Sequence, residues 1–326
     1  MTSHVFFKAS KLALKQITEI YDFVWPTAVA IWNLKWQVSG YMSVRENATE
    51  AELIGRFAAG SNIHGANIRR ASIDHSWEQQ QEYFARFLLV NLIAVYEAWV
   101  EDVLEATGNN TKDVHNQIQF PTGGMLANPK SSTNRDPIKG VRNAIAIITR
   151  QNSQMLIDAF YPTLIQHKKN SKANLDSLLY CYRYFKECRN SLVHGGGVAK
   201  SSAELAYHDF LPHAINTKLS VSEVPEHYPI MKGANVKLSL RGVVGLSDII
   251  QRMIVTLDAE ISRAGSAEEE LKRRWIEKHG TKRMLKQKDL EARKAQVGRM
   301  IKSAGFPQPL VITEMEKFIS RNNLAF

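Results

Sequence analysis

An arginine and a histidine five residues apart are the side chains of this sequence best suited to chemistry on a phosphate. Arg189 can pair with two phosphate oxygens at once, and His194 can accept or donate a proton near neutral pH. Asn190 and His194 are four residues apart and face the same side of a helix, whereas Arg189 lies about 140° away from His194 around it. The arginine side chain is long and the helix ends here, so both groups can reach one phosphate from different sides. The spacing predicts a phosphate-binding site.

The same spacing occurs twice more in the chain, so the surrounding sequence has to select among the three pairs. Arg70 and His75 lie just before a helix cap, outside any apolar helix, and Arg274 and His279 lie in a highly charged segment. A catalytic pair needs a packed scaffold that holds its side chains. The segment 181–197 (CYRYFKECRNSLVHGGG) supplies one, because four of its residues form a packing face at helical spacing: Tyr182, Phe185, Cys188 and Leu192.

Four long amphipathic helices are expected to position this pair. Apolar residues with a 3.6-residue period predict these helices over 76–107, 141–168, 174–194 and 247–263. Ser76 and Gln79 form a capping box at the start of the first helix, and Ser247 is expected to cap the last one. The glycines at 195–197 allow a sharp turn after the third helix, which leaves His194 open to approach.

The flanking segments differ in character from these helices. A helix over 10–40, an irregular connection over 108–140, short strands within 195–245 and a helix over 310–322 are predicted. Residues 266–304 hold 12 Lys or Arg and 6 Asp or Glu, and they therefore supply +6 of the net charge of +10. This basic segment is either a solvated helical hairpin or a surface that faces nucleic acid.

The pattern Arg189-Asn190-x-x-x-His194 near the end of the third long helix resembles the Arg-x4–6-His signature of the HEPN superfamily. Ribonuclease members of that family often carry a polar residue, commonly Asn, directly after the arginine. The resemblance covers 76–263 and implies a mainly α fold, a HEPN-like four-helix bundle. We expect three parts: an N-terminal helical extension (1–75), the HEPN-like domain with a small irregular or β insertion (76–263), and a basic C-terminal helical segment (264–326).

The resemblance implies a metal-independent endoribonuclease with catalytic residues Arg189 and His194. The RNA 2′-OH would attack the adjacent phosphorus and leave 2′,3′-cyclic phosphate and 5′-OH ends. Asn190 would bind the substrate phosphate or orient His194, and Glu97 on the first long helix would support Arg189 through a bidentate pair. Alternatively, Glu97 is a solvent-side charge. No cofactor or metal is expected, since the sequence has no CxxC, HExxH or paired-histidine metal motif.

One histidine cannot easily perform both proton transfers, so the resemblance also implies a homodimer with a composite active site. The chain looks most like the stand-alone bacterial HEPN proteins of anti-phage defence and toxin–antitoxin systems. This resemblance implies RNA as the substrate and an antitoxin or defence protein as a partner. Gly196 stands where some HEPN toxins have a tyrosine that an antitoxin modifies. The alternatives are a non-catalytic HEPN module that binds RNA or serves as an adaptor, and a structural helical protein in which the motif is a coincidence.

Composition narrows the class of protein. The 326 residues are 44% hydrophobic and 23% charged, which is typical of a globular chain and excludes a disordered or fibrous one. The most apolar stretch, 87–96, is too short to span a bilayer, and the start of the chain has no signal-peptide pattern. Cys181 and Cys188 are about 10 Å apart along a helix, too far for a disulfide. We therefore expect a cytoplasmic protein with both cysteines in its core and no membrane partner.

Overall fold

The computed structural model describes residues 5–127, 135–280 and 287–324, and this part of the chain is mainly helical, as predicted. The α-helices are α1 (Lys8–Val44), α2 (Glu50–Phe57), α3 (Trp77–Ala106), α4 (Lys112–Gln117), α5 (Val141–Ile148), α6 (Gln154–Ala159), α7 (Tyr161–Ile165), α8 (Leu175–His194), α9 (Ser201–Phe210), α10 (Asn216–Leu219), α11 (Leu240–Ile261), α12 (Ala267–His279), α13 (Leu290–Ser303) and α14 (Ile312–Arg321). A π-helical turn covers Arg70–Asp74, and 3-10 turns cover Lys172–Asn174 and Leu211–His213.

Two short strands form the sheet that the described residues contain. Strands β1 (Met125–Ala127) and β2 (Arg135–Pro137) are antiparallel, with Leu126 opposite Asp136. They lie within the 108–140 segment that the sequence predicts to be irregular. No helix among the described residues combines the length and the apolarity needed to cross a membrane.

The long helices α3 and α8 agree with the predicted ranges to within one residue. The Ser76 hydroxyl accepts the Gln79 N–H, and the Gln79 side chain accepts the Ser76 N–H, so the predicted capping box is confirmed. Helices α3, α8 and α11 pack against one another, and the N-terminal part of α1 packs on α3. Their apolar residues form one core cluster that also includes residues of α12, α13 and α14.

Two of the predicted elements are wrong, and a third is confirmed with a different start. The expected helix over 141–168 is three short helices, because Ser153 caps a new helix and Pro162 opens the next one. The range 195–245, all of it described, has no strand, only an isolated bridge between Val198 and Asn235. The last long helix starts at Leu240 rather than 247, with Ser239 as its cap and Ser247 in its interior.

The basic segment contains the two helices α12 and α13, and some of its cations are ion-paired. Arg293 lies 2.7 Å from Glu316 of α14. Four further cations are ion-paired within α12 or α13: Lys272, Arg273, Arg274 and Lys294. Lys282, Arg283 and Lys286 lie outside the described residues. The helical pair is confirmed, and contact with nucleic acid stays a prediction.

The start of the chain is anchored by a buried carboxylate on α11. Asp258 is fully buried and accepts the backbone N–H groups of Phe6 and Phe7, at 2.6 and 2.9 Å. Burial raises the pKa of Asp258 to about 6, and these hydrogen bonds and the Arg274 guanidinium oppose the increase. Arg274 itself donates to the carbonyl oxygens of Phe6 and Ala304, so it joins the chain start to the turn after α13.

Replacing Asp258 with alanine is expected to lower the free energy of unfolding by about 3–5 kcal/mol at pH 7.5. The substitution leaves two buried N–H groups unpaired and removes the negative charge near Arg274. Urea unfolding followed by circular dichroism measures the loss. Asp22→Ala removes an exposed carboxylate from α1 and should change stability by no more than about 0.5 kcal/mol. Equal effects of the two substitutions would contradict this role of Asp258.

Both cysteines are buried and unbonded, as predicted. Burial raises the pKa of Cys188 to about 12 and raises the pKa of Cys181 as well. Since the thiolate is the reactive form, neither cysteine should react with a thiol reagent in the folded protein at pH 8. Mass spectrometry after iodoacetamide treatment should detect no adduct on the native chain and two adducts on the guanidinium-unfolded chain. Rapid labelling of the native chain would show that α8 opens.

Candidate active site

Helix α8 carries the predicted site, and its rotation is set by the residues that it buries. Tyr182, Phe185 and Cys188 are at most 1% exposed, and Leu192 is partly buried against the same core. The packing face predicted from the sequence is therefore confirmed. Because these residues fix one side of α8 against the core, the polar residues between them must emerge on the other sides.

The glycines after α8 end the helix abruptly. The N–H groups of Gly195 and Gly197 both donate to the carbonyl oxygen of Ser191. A Cβ at Gly195 would lie 2.8 Å from that oxygen and from the Val198 carbonyl oxygen, while Gly196 and Gly197 have φ values of +60° and +91°. Such a turn suits glycine and excludes most other residues.

His194 is the last residue of α8 and is exposed. Its imidazole makes no hydrogen bond or ion pair with any residue that the structure describes. The side chain is therefore accessible to a ligand, as predicted.

Arg189 lies deeper, and neighbouring side chains hold its guanidinium. The side chain is 21% exposed; Nη1 donates to Asn190 Oδ1 at 3.2 Å, and Nη2 lies 3.9 Å from Glu97 Oε2. Its Nε is buried and has no hydrogen-bond partner. A buried donor without a partner is uncommon in a folded protein and is a cost that a ligand acceptor could relieve.

Glu97 lies beside the arginine, but not in the predicted bidentate pair. The shorter contact of Glu97 is to Lys186, whose Nζ lies 2.7 Å from Glu97 Oε1 and also donates to Gln119 Oε1 at 2.7 Å. Burial lowers the pKa of Lys186, and the Glu97 carboxylate opposes that decrease. Glu97 is partly buried, so it is not the solvent-side charge of the alternative prediction. Three exposed residues further along α3 do match that description: Glu101, Asp102 and Glu105.

The structure brings Arg189, Asn190 and Glu97 together but shows no contact between them and His194. The two members of the motif emerge on different sides of α8, in keeping with the 140° spacing. Lys186 and Gln119 belong to the arrangement and were not predicted. Lys186 could have been identified from the sequence, because it lies three residues before Arg189 on the same helix. No local pattern identifies Gln119.

The two rejected Arg–His pairs have other surroundings. Arg274 is buried against carbonyl oxygens, and His279 lies 2.9 Å from the carbonyl oxygen of Met300, so both serve packing. Arg70 belongs to the π-helical turn and is exposed. Only Arg189 and His194 combine a packed helix with an accessible imidazole.

Within residues 5–127, 135–280 and 287–324, no group of three or more His, Cys, Asp or Glu side chains is arranged to hold a metal ion. No protein-family model, no curated protein and no solved structure matches the chain.

Proposed function

We propose that this protein is a HEPN-type endoribonuclease that cleaves RNA without a metal ion, with His194 and Arg189 as its catalytic residues. The observation that carries the proposal is the end of α8. An exposed imidazole there follows a guanidinium that Glu97 and Asn190 hold in place, on a helix fixed by its buried face. Accessible imidazole and pre-positioned guanidinium are the two groups that this reaction needs.

In the proposed reaction the RNA supplies its own nucleophile. One imidazole takes the proton from the 2′-OH, and O2′ attacks the adjacent phosphorus. The bond from phosphorus to O5′ breaks, and O5′ takes a proton from a second acid. The products are a 2′,3′-cyclic phosphate and a 5′-OH. Arg189 donates to the non-bridging oxygens, whose negative charge grows in the transition state, and Asn190 orients the guanidinium through its Oδ1.

A second copy of the chain is proposed to supply the second proton-transfer group. His194 and Arg189 emerge on different sides of α8, and no other histidine contacts either of them among the described residues. Two α8 ends facing one cleft would provide one imidazole as base and one as acid. Light scattering should therefore report twice the mass of one 36.9 kDa chain. A strict monomer that cleaves RNA would contradict this part of the proposal.

The setting that we propose is a cytoplasmic bacterial defence or toxin–antitoxin system. In such a system, a partner would restrain the nuclease or a trigger would activate it. Gly196 carries no hydroxyl, so an antitoxin that acts by modifying a tyrosine at that position would have no target here.

The test is incubation of the purified chain with total RNA in buffer that contains EDTA. The proposal predicts fragments with cyclic phosphate ends, which disappear in Arg189→Ala and His194→Ala. RNA binding without cleavage by the unaltered chain would support the alternative of a non-catalytic RNA-binding module. Cleavage that requires added Mg²⁺, or that survives both substitutions, would overturn the proposal.

A further inference from the structure

A small cavity lies between α8, α9 and the segment that follows α4. Its volume is about 180 Å³, and its apolar wall includes Phe120, Leu205 and Ala206. Pockets for drug-sized ligands have volumes of about 300–1,000 Å³. This cavity is therefore suited to a smaller group, of the size of one planar ring system.

A partly buried arginine and a buried glutamate form the polar side of the cavity. Arg183 and Glu187 are 17% and 10% exposed, and Arg183 Nη2 donates to Glu187 Oε1 at 2.6 Å. Ser202 at the start of α9 donates to the other carboxylate oxygen, at 2.9 Å. Glu187 is thus held on both oxygens, and its position fixes Arg183.

The Arg183 guanidinium has donors beyond the one that Glu187 accepts. Its centre lies 4.1 Å from the centroid of the Phe120 ring, which supports one face of the group. The contact to Glu187 uses one of the five N–H donors of an arginine. The remaining donors lie in one plane, so they can bind two acceptors at a ligand edge.

The chemistry of the lining favours a neutral ring over a phosphate. The lining has one cation, Arg183, and two carboxylates, Glu187 and Asp209, so its summed charge does not favour an anion. A planar, uncharged ring with two adjacent hydrogen-bond acceptors would match the donors at the edge of the arginine guanidinium. Guanine has this pair in O6 and N7, whereas adenine replaces the first acceptor with an amino donor.

The cavity lies on the same side of α8 as the catalytic histidine. Residues 183 and 194 are eleven positions apart, which is about 20° around an ideal helix, and Glu187 lies between them. His194 is seven residues beyond Glu187, roughly 10 Å along the helix axis. A strand with its phosphate at His194 could therefore place a neighbouring base in the cavity.

We propose that this cavity binds a guanine base of the RNA and so selects the position of cleavage. The inference rests on the proposed ribonuclease function. Arg183 is assigned the O6 and N7 acceptors, Glu187 positions Arg183, and the apolar wall contacts the ring. Free guanine nucleotides carry the same ring, so the experiment needs one arm for the nucleotide and one for RNA.

The first arm measures binding of guanosine 5′-monophosphate and adenosine 5′-monophosphate by saturation-transfer NMR. The dissociation constant for the guanine nucleotide should be about tenfold lower, in line with the discrimination of one bidentate base contact. Ala206→Met fills the cavity and should abolish this difference. Arg183→Lys retains the charge beside Glu187, loses the paired donors and should also abolish it. Ala146→Met, on the exposed side of α5, is the matched control and should preserve it.

The second arm maps the cleavage sites in an RNA of mixed sequence. The unaltered chain should cut next to guanine at least about fivefold more often than next to adenine, and Ala206→Met and Arg183→Lys should lose that bias. RNA cleavage without base preference would overturn the cavity assignment and leave the ribonuclease proposal intact. Guanine-selective binding that depends on Ala206, in a chain that cuts no RNA, would support the cavity and refute the nuclease. Equal binding of both nucleotides would overturn the assignment of guanine.

Discussion

Substituting alanine for His194 should lower the single-turnover rate of RNA cleavage in EDTA by a factor on the order of 10²–10⁴. That range is the usual contribution of one general acid or base. Of Arg189, Asn190 and His194, only His194 is exposed. No described side chain contacts its imidazole, so none is in place to take over its proton transfer. In the proposed mechanism, its loss removes the group that accepts the 2′-OH proton. Quenched time points on a labelled RNA oligonucleotide measure the rate.

A matched control separates the chemistry of His194 from a general effect of losing an imidazole. His64 is also exposed, and it lies in the segment between α2 and the π-helical turn, so His64→Ala should leave the rate unchanged. Both variants should melt within a few degrees of the unaltered chain, because neither site is buried. A His194→Ala variant that cleaves at the unaltered rate would refute the assignment of the base.

Replacing Arg189 with alanine should lower the same rate by a factor on the order of 10²–10³, the typical effect of losing one donor to a developing negative charge. The guanidinium has two side-chain neighbours, Asn190 and Glu97, and a buried Nε without a partner. Arg189→Lys should recover little of the loss, since an ammonium cannot pair with two oxygens from a fixed plane. Single-turnover kinetics at saturating RNA measure the effect on the chemical step.

The matched control for this substitution is Arg150→Ala, which removes an exposed guanidinium after α5. It should leave the rate at saturating RNA unchanged. If Arg189→Ala weakened RNA binding and left that rate intact, Arg189 would be a binding residue, and the proposed stabilisation of the transition state would be wrong. Circular dichroism should also be recorded to check that the Arg189→Ala variant folds. The Arg189 side chain is only 21% exposed, and its loss leaves Lys186 as the ion-pair partner of Glu97.

Helices α3 and α8 could be predicted from sequence to within one residue because several local signals agree. In α3 the capping box at Ser76 and an unbroken 3.6-residue period give the same start and the same buried face. In α8 the apolar period ends where the glycines begin. When local signals agree in this way, a helix can be predicted without knowledge of its distant contacts, and these two helices carry the proposed site.

The alternating run 236–240 (VKLSL) lies in the range for which short strands are predicted, and it shows how a correct local pattern can give a wrong element. Val236 and Leu238 are buried and Lys237 is exposed, so the alternation does report which side chains face the core. A strand also needs a neighbour, and the pairing here is the isolated bridge between Val198 and Asn235, to which the hydrogen bond from the Val236 N–H to the Gly197 carbonyl oxygen belongs. Ser239 then caps α11. Pairing depends on tertiary contacts that alternation does not encode.

The candidate site was predictable where it depends on one helix and unpredictable where helices meet. The buried side of α8 and the exposure of His194 follow from spacing within that helix. The preference of Glu97 for Lys186 over Arg189 depends on how α3 crosses α8, and the role of Gln119 depends on the path of the chain after α4. These contacts join residues distant in sequence, which a period of 3.6 cannot report.

The most direct test of the proposed chemistry is cleavage of one RNA oligonucleotide with and without a single 2′-deoxy substitution at the mapped cleavage site. Mass spectrometry of the products in EDTA identifies both the position and the chemistry of the ends. Attack by the RNA's own hydroxyl predicts a 2′,3′-cyclic phosphate on the unmodified strand and no cleavage at the substituted position. Equal cleavage of the deoxy-substituted strand, or a 5′-phosphate on the product, would contradict the mechanism assigned to His194 and Arg189.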